Sequence, residues 1–255
     1  KAERPVLFAG YGIRVAGAVA LFDRLVDVLG IPVQTTWLGL DLIPESHPLF
    51  VPRPGAIAPR GANFTLQNSD FLLVLGARLD MATTGYAHER FARAATKVIV
   101  DIDPAEMRKL AMDIAVPVVA DAKAFIEALL AVAPEFKTPD ITPWLKRIGE
   151  WKTRYPLTAP ETSQGREQLS MYEVARMLSD AIPERTVIAP GSSGFASEIF
   201  HLMLQIKPGQ RCYHNRGTGA MGFAIPSAIG ACFANGKRLV VSMDGDGGFQ
   251  FNIQE

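Results

Sequence analysis

Residues 239–252 have the sequence LVVSMDGDGGFQFN, in which an apolar run leads through aspartates and glycines into a segment of helical character. Leu239–Met243 has the length and the aliphatic content of a buried strand. Asp244–Gly248 then turns the chain, and Phe249 begins a helix. A buried strand, a tight turn and a helix form the repeating unit of a parallel sheet covered by helices. These residues therefore predict the α/β class.

The same alternation extends over most of the chain. Residues 1–133 and 170–255 both show it, which predicts two doubly wound parallel-sheet domains, the second truncated because the chain is expected to be part of a longer protein. Residues 134–169 are polar and proline-bearing, with one predicted helix at Trp144–Arg154, so we expect a linker there. The other predicted strands and helices are Val6–Ala9, Ala16–Leu29, Val33–Thr36, Phe71–Leu75, Val98–Ile102, Val116–Ala120, Lys123–Val132, Met171–Ala181, Thr186–Ala189 and Gly219–Ala231.

The composition disfavours several classes of function. Lysine plus arginine and aspartate plus glutamate both number 26, so there is no uniform positive field to gather nucleic acid or an anionic membrane. No apolar run approaches the roughly 20 residues that span a bilayer. Residues 1–10 do not form a secretory signal, and two cysteines are too few for a disulfide framework. We therefore expect a cytoplasmic protein with a small-molecule ligand, and neither nucleic acid nor membrane as a partner.

The opening stretch is also the strongest candidate site. A carboxylate between glycines at a strand end can reach a hard divalent cation, and the bare backbone lets a metal-bound diphosphate approach. Asp246 would then be one magnesium ligand among phosphate oxygens and water. Alternatively, the aspartates only cap the helix that follows a tight turn. The residues alone leave both interpretations open.

A second glycine-rich segment, Gly217–Gly230, precedes this stretch. Its small residues permit close packing against a neighbour, and Met221 stands out among them as a large side chain. The alternative interpretation is a loop and a helix that pack closely on the sheet.

A glycine-rich turn also follows the first predicted strand. Gly10, Gly12 and Gly17 lie where a parallel sheet would place a dinucleotide phosphate, but their spacing is not G-x-G-x-x-G. The second strand ends in Thr35 and Thr36, without the acidic residue that would bind a ribose. Nicotinamide binding is therefore disfavoured, and the glycines could serve only to turn the chain tightly.

Charged residues follow the next two strands of this domain. Arg78 and Asp80 come after one strand, and Asp101 and Asp103 come after its neighbour. An arginine there can bind a phosphate and an aspartate can accept a hydrogen bond from a nucleotide. Alternatively, an arginine–aspartate pair ties two loops together and Asp103 caps a helix. Both interpretations stay open.

Taken together, these residues resemble the thiamine-diphosphate-dependent enzymes of the acetolactate synthase group. Residues 4–132 are similar to the central domain of that family, and Ser170–Glu255 is similar to the first half of its diphosphate-binding domain. Gly245–Gly247, with the tail Asn252–Glu255, resembles the start of the metal–diphosphate motif. Gly219–Phe223 resembles the segment that cradles the aminopyrimidine. The two motifs together, at this separation, indicate the family more specifically than either motif alone.

The resemblance implies roles for these residues. Asp246 would ligate Mg²⁺, Met221 would support the bent cofactor, and the carbonyl of Gly219 would accept a hydrogen bond from its amino group. Ser192 and Ser193 lie where the family places further diphosphate contacts, although this segment departs from the usual acidic, glutamine and histidine pattern. The diphosphate itself would bind the backbone around Gly245, Gly247 and Gly248.

Some members of the family bind FAD in the central domain. The family positions that contact it correspond to Gly10, Gly12, Thr35, Thr36, Arg78, Asp80, Asp101 and Asp103. A Gly-Met-His-Gly element of the family is replaced here by Gly55–Ala58, which lacks the histidine. FAD, ADP or no ligand therefore all stay open at this place.

The implied function is decarboxylation of a 2-oxo acid with carboligation to a second carbonyl compound, dependent on thiamine diphosphate and magnesium. In the family, the glutamate that starts the chemistry belongs to a neighbouring subunit, so a homo-oligomer is implied and the fragment alone is expected to be inactive. Two alternatives are a nucleotide-binding α/β module without carbon–carbon chemistry and a non-catalytic partner subunit.

Overall fold

The computed structural model of the chain describes residues 2–136, 140–157 and 169–255. They form two compact units, each with its own parallel sheet. Unit 1 contains residues 1–43 and 47–156, and unit 2 contains residues 44–46 and 157–255. The predicted α/β class with two parallel sheets is confirmed.

Unit 1 alternates strands and helices in its described residues. Its elements are β1 (Pro5–Ala9), α1 (Gly12–Val15), α2 (Val19–Leu29), β2 (Val33–Thr35), α3 (Arg60–Asn68), β3 (Phe71–Leu75), β4 (Thr96–Asp101), α4 (Pro104–Arg108), β5 (Val116–Val119), α5 (Ala122–Val132) and α6 (Thr142–Arg154). The strands form one parallel sheet in the order β2-β1-β3-β4-β5. Every residue of β1 is buried, because helices cover both faces of the sheet at its centre.

Helix α6 packs on unit 1, although it lies inside the range for which the sequence predicts a linker. Trp144 and Ile148 are buried in the core of unit 1, and Trp144 Nε1 donates a hydrogen bond to the carbonyl oxygen of Pro5 at 3.2 Å. These contacts anchor the helix that the sequence predicts at Trp144–Arg154. Residues 137–139 and 158–168 of the predicted linker lie outside the described residues.

Unit 2 has a three-stranded parallel sheet in the order β7-β6-β8. A capping box of Ser170 and Glu173 begins its first helix. Pro190 pairs with Met243, so β6 and β8 end at the same edge of the sheet. The described elements are α7 (Met171–Ala181), β6 (Val187–Pro190), α8 (Phe200–Met203), β7 (Arg211–Cys212), α9 (Ala224–Ala234), β8 (Val240–Met243) and α10 (Asp246–Phe251).

Two predicted helices begin later than expected, and glycine is the reason in both. The backbone of Gly17 is left-handed, with φ of 67°, and it separates α1 from α2 within the predicted helix Ala16–Leu29. Gly219 and Gly222 have φ of 58° and 77°, so α9 begins only at Ala224. Among the described residues, no helix is both long enough and apolar enough to cross a bilayer.

Candidate functional site

The turn after β8 lies beside the loop after β6. The amide of Gly191 donates a hydrogen bond to the carbonyl oxygen of Met243 at 2.8 Å, which continues the pairing of the two strands. The strand β6 is the central strand of this sheet. The chain that follows it leads to β7 on one side, and β8 lies on the other side. Ligands of open α/β sheets bind in the crevice that such a switch point opens at the carboxyl ends of the strands. Residues 244–248 lie at this crevice.

The side chain of Asp244 fills the inner part of the crevice. A Cβ added at Gly191 would overlap the Asp244 carboxylate, and one added at Gly248 would lie 2.5 Å from Asp244 Oδ1. Oδ1 accepts a hydrogen bond from the amide of Gly245 at 2.9 Å, and Oδ2 is buried without a hydrogen-bond partner among the described residues. Glycine is therefore required at both positions, because a carboxylate occupies the space where a side chain would lie.

Asp246, by contrast, is exposed. It is the first residue of α10, and its carboxylate makes no hydrogen bond or ion pair within the described part of the chain. The neighbouring Gly247 is also exposed, and the nearest atom to a Cβ added there would be Met221 Cε at 3.8 Å. An unpaired carboxylate beside open backbone suits a hard cation that carries a phosphate.

Met221 belongs to the loop that precedes α9. Its side chain is 57% exposed, and its methyl group lies over the backbone of Gly247. The loop backbone is left-handed on both sides of Met221, at Gly219 and at Gly222. The structure therefore brings Met221 to the same edge as Asp246 and Gly247, and Gly219 is exposed two residues earlier in the same loop.

The two predicted serines differ in their surroundings. Ser193 Oγ accepts a hydrogen bond from the amide of Ala196 at 3.2 Å, so it caps the helical turn that follows. Its Cβ would lie 3.1 Å from a Cβ added at Gly245, which places Ser193 against the turn of the site. Ser192 is half-buried, and its carbonyl oxygen accepts a bond from Ser197 Oγ at 3.5 Å.

Sequence reasoning did not identify two residues of this edge, Asp244 and Asn252. Asn252 Nδ2 donates a hydrogen bond to the carbonyl oxygen of Gly222 at 2.7 Å. The alternation Asp-Gly-Asp-Gly was a signal for Asp244, but spacing does not tell which aspartate turns inward. Asn252 belongs to the tail that resembles the family motif, but its hydrogen-bond partner is distant in sequence, so the pattern assigns it no contact.

At the carboxyl edge of unit 1, the predicted glycines pack against backbone. A Cβ added at Gly10 would overlap the carbonyl of Gly76, and one added at Gly12 would lie 2.9 Å from the same oxygen. Thr35 is fully buried, and Thr36 Oγ1 accepts a hydrogen bond from the amide of Gly39 at 3.1 Å. Backbone therefore closes off the two glycines, whereas Thr35 Oγ1 is buried without a hydrogen-bond partner among the described residues.

The charged residues of this edge are engaged with protein neighbours. Arg78 pairs with Glu106 at 3.1 Å, whereas the alternative interpretation paired it with an aspartate. Asp80 Oδ1 accepts a hydrogen bond from the amide of Thr83 at 2.7 Å, and Asp101 Oδ1 accepts one from the amide of Asp103 at 3.0 Å. Asp103 also caps α4 through the amide of Ala105 at 2.8 Å. Local structure accounts for all four residues.

Comparison with known proteins adds independent evidence. Residues 1–129 match the model of the thiamine pyrophosphate enzyme central domain, and residues 192–255 match that of the C-terminal TPP binding domain. The chain is 34% identical to a probable acetolactate synthase large subunit of Methanocaldococcus jannaschii, 33% identical to the acetolactate synthase large subunit of Corynebacterium glutamicum and 34% identical to a probable chloroplastic acetolactate synthase of Oryza sativa.

Each of these alignments covers 100% of this chain but 43%, 40% and 38% of the respective relative. The chain thus spans about two fifths of the length of the curated relatives that it matches. Neither the nucleotide-binding module nor the non-catalytic partner subunit is supported by these matches. Because the central-domain model alone covers half of the sequence, the chain belongs to the thiamine pyrophosphate enzyme family.

Proposed function

We propose that this chain binds thiamine diphosphate and Mg²⁺ where β6 and β8 end, as part of an enzyme that decarboxylates a 2-oxo acid and joins the product to a second carbonyl compound. The observation that carries the proposal is the position of Met221 over Gly247. It brings two glycine-rich segments that are distant in sequence to one edge of unit 2. The relatives named acetolactate synthase support the choice of reaction.

The residues at this edge fit the metal and the diphosphate. Mg²⁺ prefers oxygen ligands and keeps several waters, so the exposed carboxylate of Asp246 can serve as one ligand. The open backbone of Gly247 leaves room for phosphate oxygens; Gly245 is half-buried on one side of it, and Gly248 is buried against Asp244 on the other. Asp244 supports this turn from inside by accepting the amide hydrogen of Gly245.

The other end of the cofactor is assigned to the loop before α9. Met221 would lie under the cofactor and hold it bent, and the carbonyl of Gly219 would accept a hydrogen bond from the aminopyrimidine. When bound, the cofactor's thiazolium ring accepts the electrons released on decarboxylation. Ser193, next to Gly245, and Ser192 are assigned to the diphosphate side of the same site.

FAD is left out of the proposal. Of the residues that the resemblance assigns to it, Thr35 is fully buried and Gly10 faces the backbone of Gly76. Asp80 and Asp103 accept hydrogen bonds from backbone amides of their own loops. If the purified full-length protein showed the visible absorbance of bound FAD, this part of the proposal would be wrong.

The proposed partners are a small 2-oxo acid and at least one further copy of the protein. The dimer follows from the family's use of a glutamate from a neighbouring subunit, and a monomeric sedimentation coefficient of the full-length protein would contradict it. Neither Cys212 nor Cys232 forms a disulfide within the described residues, which is compatible with the reducing cytoplasm that we propose as the location.

A thermal shift experiment on the full-length protein tests the proposed ligand. Thiamine diphosphate with Mg²⁺ at about 100 times its Kd should stabilise the protein by about 2.7 kcal/mol, whereas ADP with Mg²⁺ should leave the melting temperature unchanged. For a complete domain of about 150–250 residues, that corresponds to a rise of roughly 5–10 °C. A rise with ADP and none with thiamine diphosphate would overturn the proposal in favour of a nucleotide-binding module.

A further inference from the structure

Asn252 connects the two glycine-rich segments of unit 2. It follows the last residue of α10, and its side-chain amide donates a hydrogen bond to the carbonyl oxygen of Gly222 at 2.7 Å. A Cβ added at Gly222 would lie 2.6 Å from Asn252 Nδ2 and 2.8 Å from Phe251 Cβ. The loop backbone therefore lies directly on the carboxyl end of α10, with no room for a side chain between them.

Few other hydrogen bonds hold this part of the loop among the described residues. At its start, the amides of Thr218 and Gly219 both donate to the carbonyl oxygen of Asn215 at 2.9 Å. Among the hydrogen bonds of the described residues, the bond from Asn252 is the one that holds residues 220–222. Met221 itself is 57% exposed, so packing does little to fix its position.

We infer that Asn252 is a positioning residue that holds Met221 and the carbonyl of Gly219 in register with the turn at Asp246. The inference rests on the proposed function. Residues 219–222 begin and end with a left-handed glycine, and hydrogen bonds hold the first to Asn215 and the last to Asn252. Because Asp246 begins α10 and Asn252 directly follows its last residue, this bond fixes the proposed aminopyrimidine end of the site relative to its metal end.

The substitution Asn252→Asp tests this inference with almost no change of shape. It replaces the donating amide with a carboxylate, which repels the carbonyl oxygen of Gly222. Asn68→Asp is the matched control, because it makes the same chemical change on an exposed side chain of unit 1, whose amide also donates to a backbone carbonyl, that of Phe64, at 2.8 Å. Asn252→Ala, which removes the donor without adding charge, serves if the aspartate variant does not fold.

The first readout is amide hydrogen exchange in the full-length protein without cofactor. We expect exchange of the amides of residues 217–222 to be about tenfold faster in Asn252→Asp than in the wild type, and unchanged in Asn68→Asp. Equal exchange in the two variants would overturn the inference and leave the proposed function standing. This readout does not depend on whether thiamine diphosphate binds.

The second readout is the near-ultraviolet circular dichroism of bound thiamine diphosphate at saturation. A positioning role predicts a changed cofactor signal and about tenfold weaker binding in Asn252→Asp, with the control like the wild type. A residue that only stabilised the fold would lower the melting temperature and leave the saturated signal unchanged, which would contradict the inference. Absence of cofactor binding by the wild type would instead contradict the proposed function.

Discussion

The two sheets of this chain have the same local topology at their centres but differ in what fills the crevice there. In unit 1 the crevice lies between β1 and β3, where Gly10 and Gly12 pack against the backbone of Gly76. In unit 2 it lies between β6 and β8, where Gly191 and Gly248 surround the carboxylate of Asp244. Glycine at a switch point therefore does not by itself indicate a ligand.

The contents of each crevice have chemical consequences. In unit 1, the amides of Gly10 and Gly12 donate hydrogen bonds at 2.9 Å to the carbonyl oxygens of Leu75 and Gly76, so the two loops are joined by backbone. In unit 2, a carboxylate braces the turn from within and leaves the exposed Asp246 at its surface. The first arrangement joins two loops through backbone, and the second leaves a charged side chain exposed at the end of the strand.

The largest expected effect is that of Gly10→Ala. The added Cβ would overlap the carbonyl of Gly76, which belongs to the backbone and cannot turn aside. We expect unit 1 to lose about 3 kcal/mol of stability. Urea denaturation followed by tryptophan fluorescence measures this, because Trp37, Trp144 and Trp151 all lie in unit 1.

Gly149→Ala is the matched control for this variant. Gly149 lies inside α6, and a Cβ added there would have no neighbour within 4 Å. Alanine should stabilise the helix by roughly 0.5–1 kcal/mol. If Gly10→Ala unfolded at the same urea concentration as the wild type, backbone packing would not be what closes the crevice of unit 1.

Gly191→Ala should have a smaller effect that a second substitution can relieve. Its Cβ would overlap the carboxyl group of Asp244, which is a side chain and can be removed. We expect the local stability of β8 to fall by roughly 1–2 kcal/mol, measured by hydrogen exchange of its amides. The cost should nearly vanish when Gly191→Ala is made in an Asp244→Ala background.

An equal cost of Gly191→Ala in both backgrounds would mean that the carboxylate does not fill the crevice. No single side-chain truncation should relieve Gly10→Ala, since the obstacle there is a carbonyl. Recovery of stability by a second substitution in unit 2, and none in unit 1, would thus distinguish a crevice filled by a side chain from one filled by backbone.

Local pattern predicted the fold better than it predicted the site. The β-branched run at Val98–Ile102 and the helix Met171–Ala181 agree closely with β4 and α7, because hydrophobic periodicity is a property of neighbouring residues. The inward turn of Asp244 depends on Gly191, and the role of Asn252 depends on Gly222. Such pairs form only when distant segments meet, so the sequence pattern does not contain them.

Arg78 also depends on a residue that is distant in sequence. Its position at a strand end is typical of a phosphate ligand, and two aspartates follow the neighbouring strand. The structure pairs it with Glu106, on α4, which also contacts Lys109. Charge at a strand end predicted an interaction correctly but not its partner.

The central claim is that Asp246 holds the divalent ion to which the diphosphate binds. A crystal structure of the full-length protein with thiamine diphosphate and Mn²⁺ in place of Mg²⁺ tests it most directly, because anomalous scattering locates the metal. The account predicts a single peak about 2.1 Å from a carboxylate oxygen of Asp246, with diphosphate oxygens completing the coordination. A peak bound through Asp244 or elsewhere in unit 2, with Asp246 facing solvent, would contradict it.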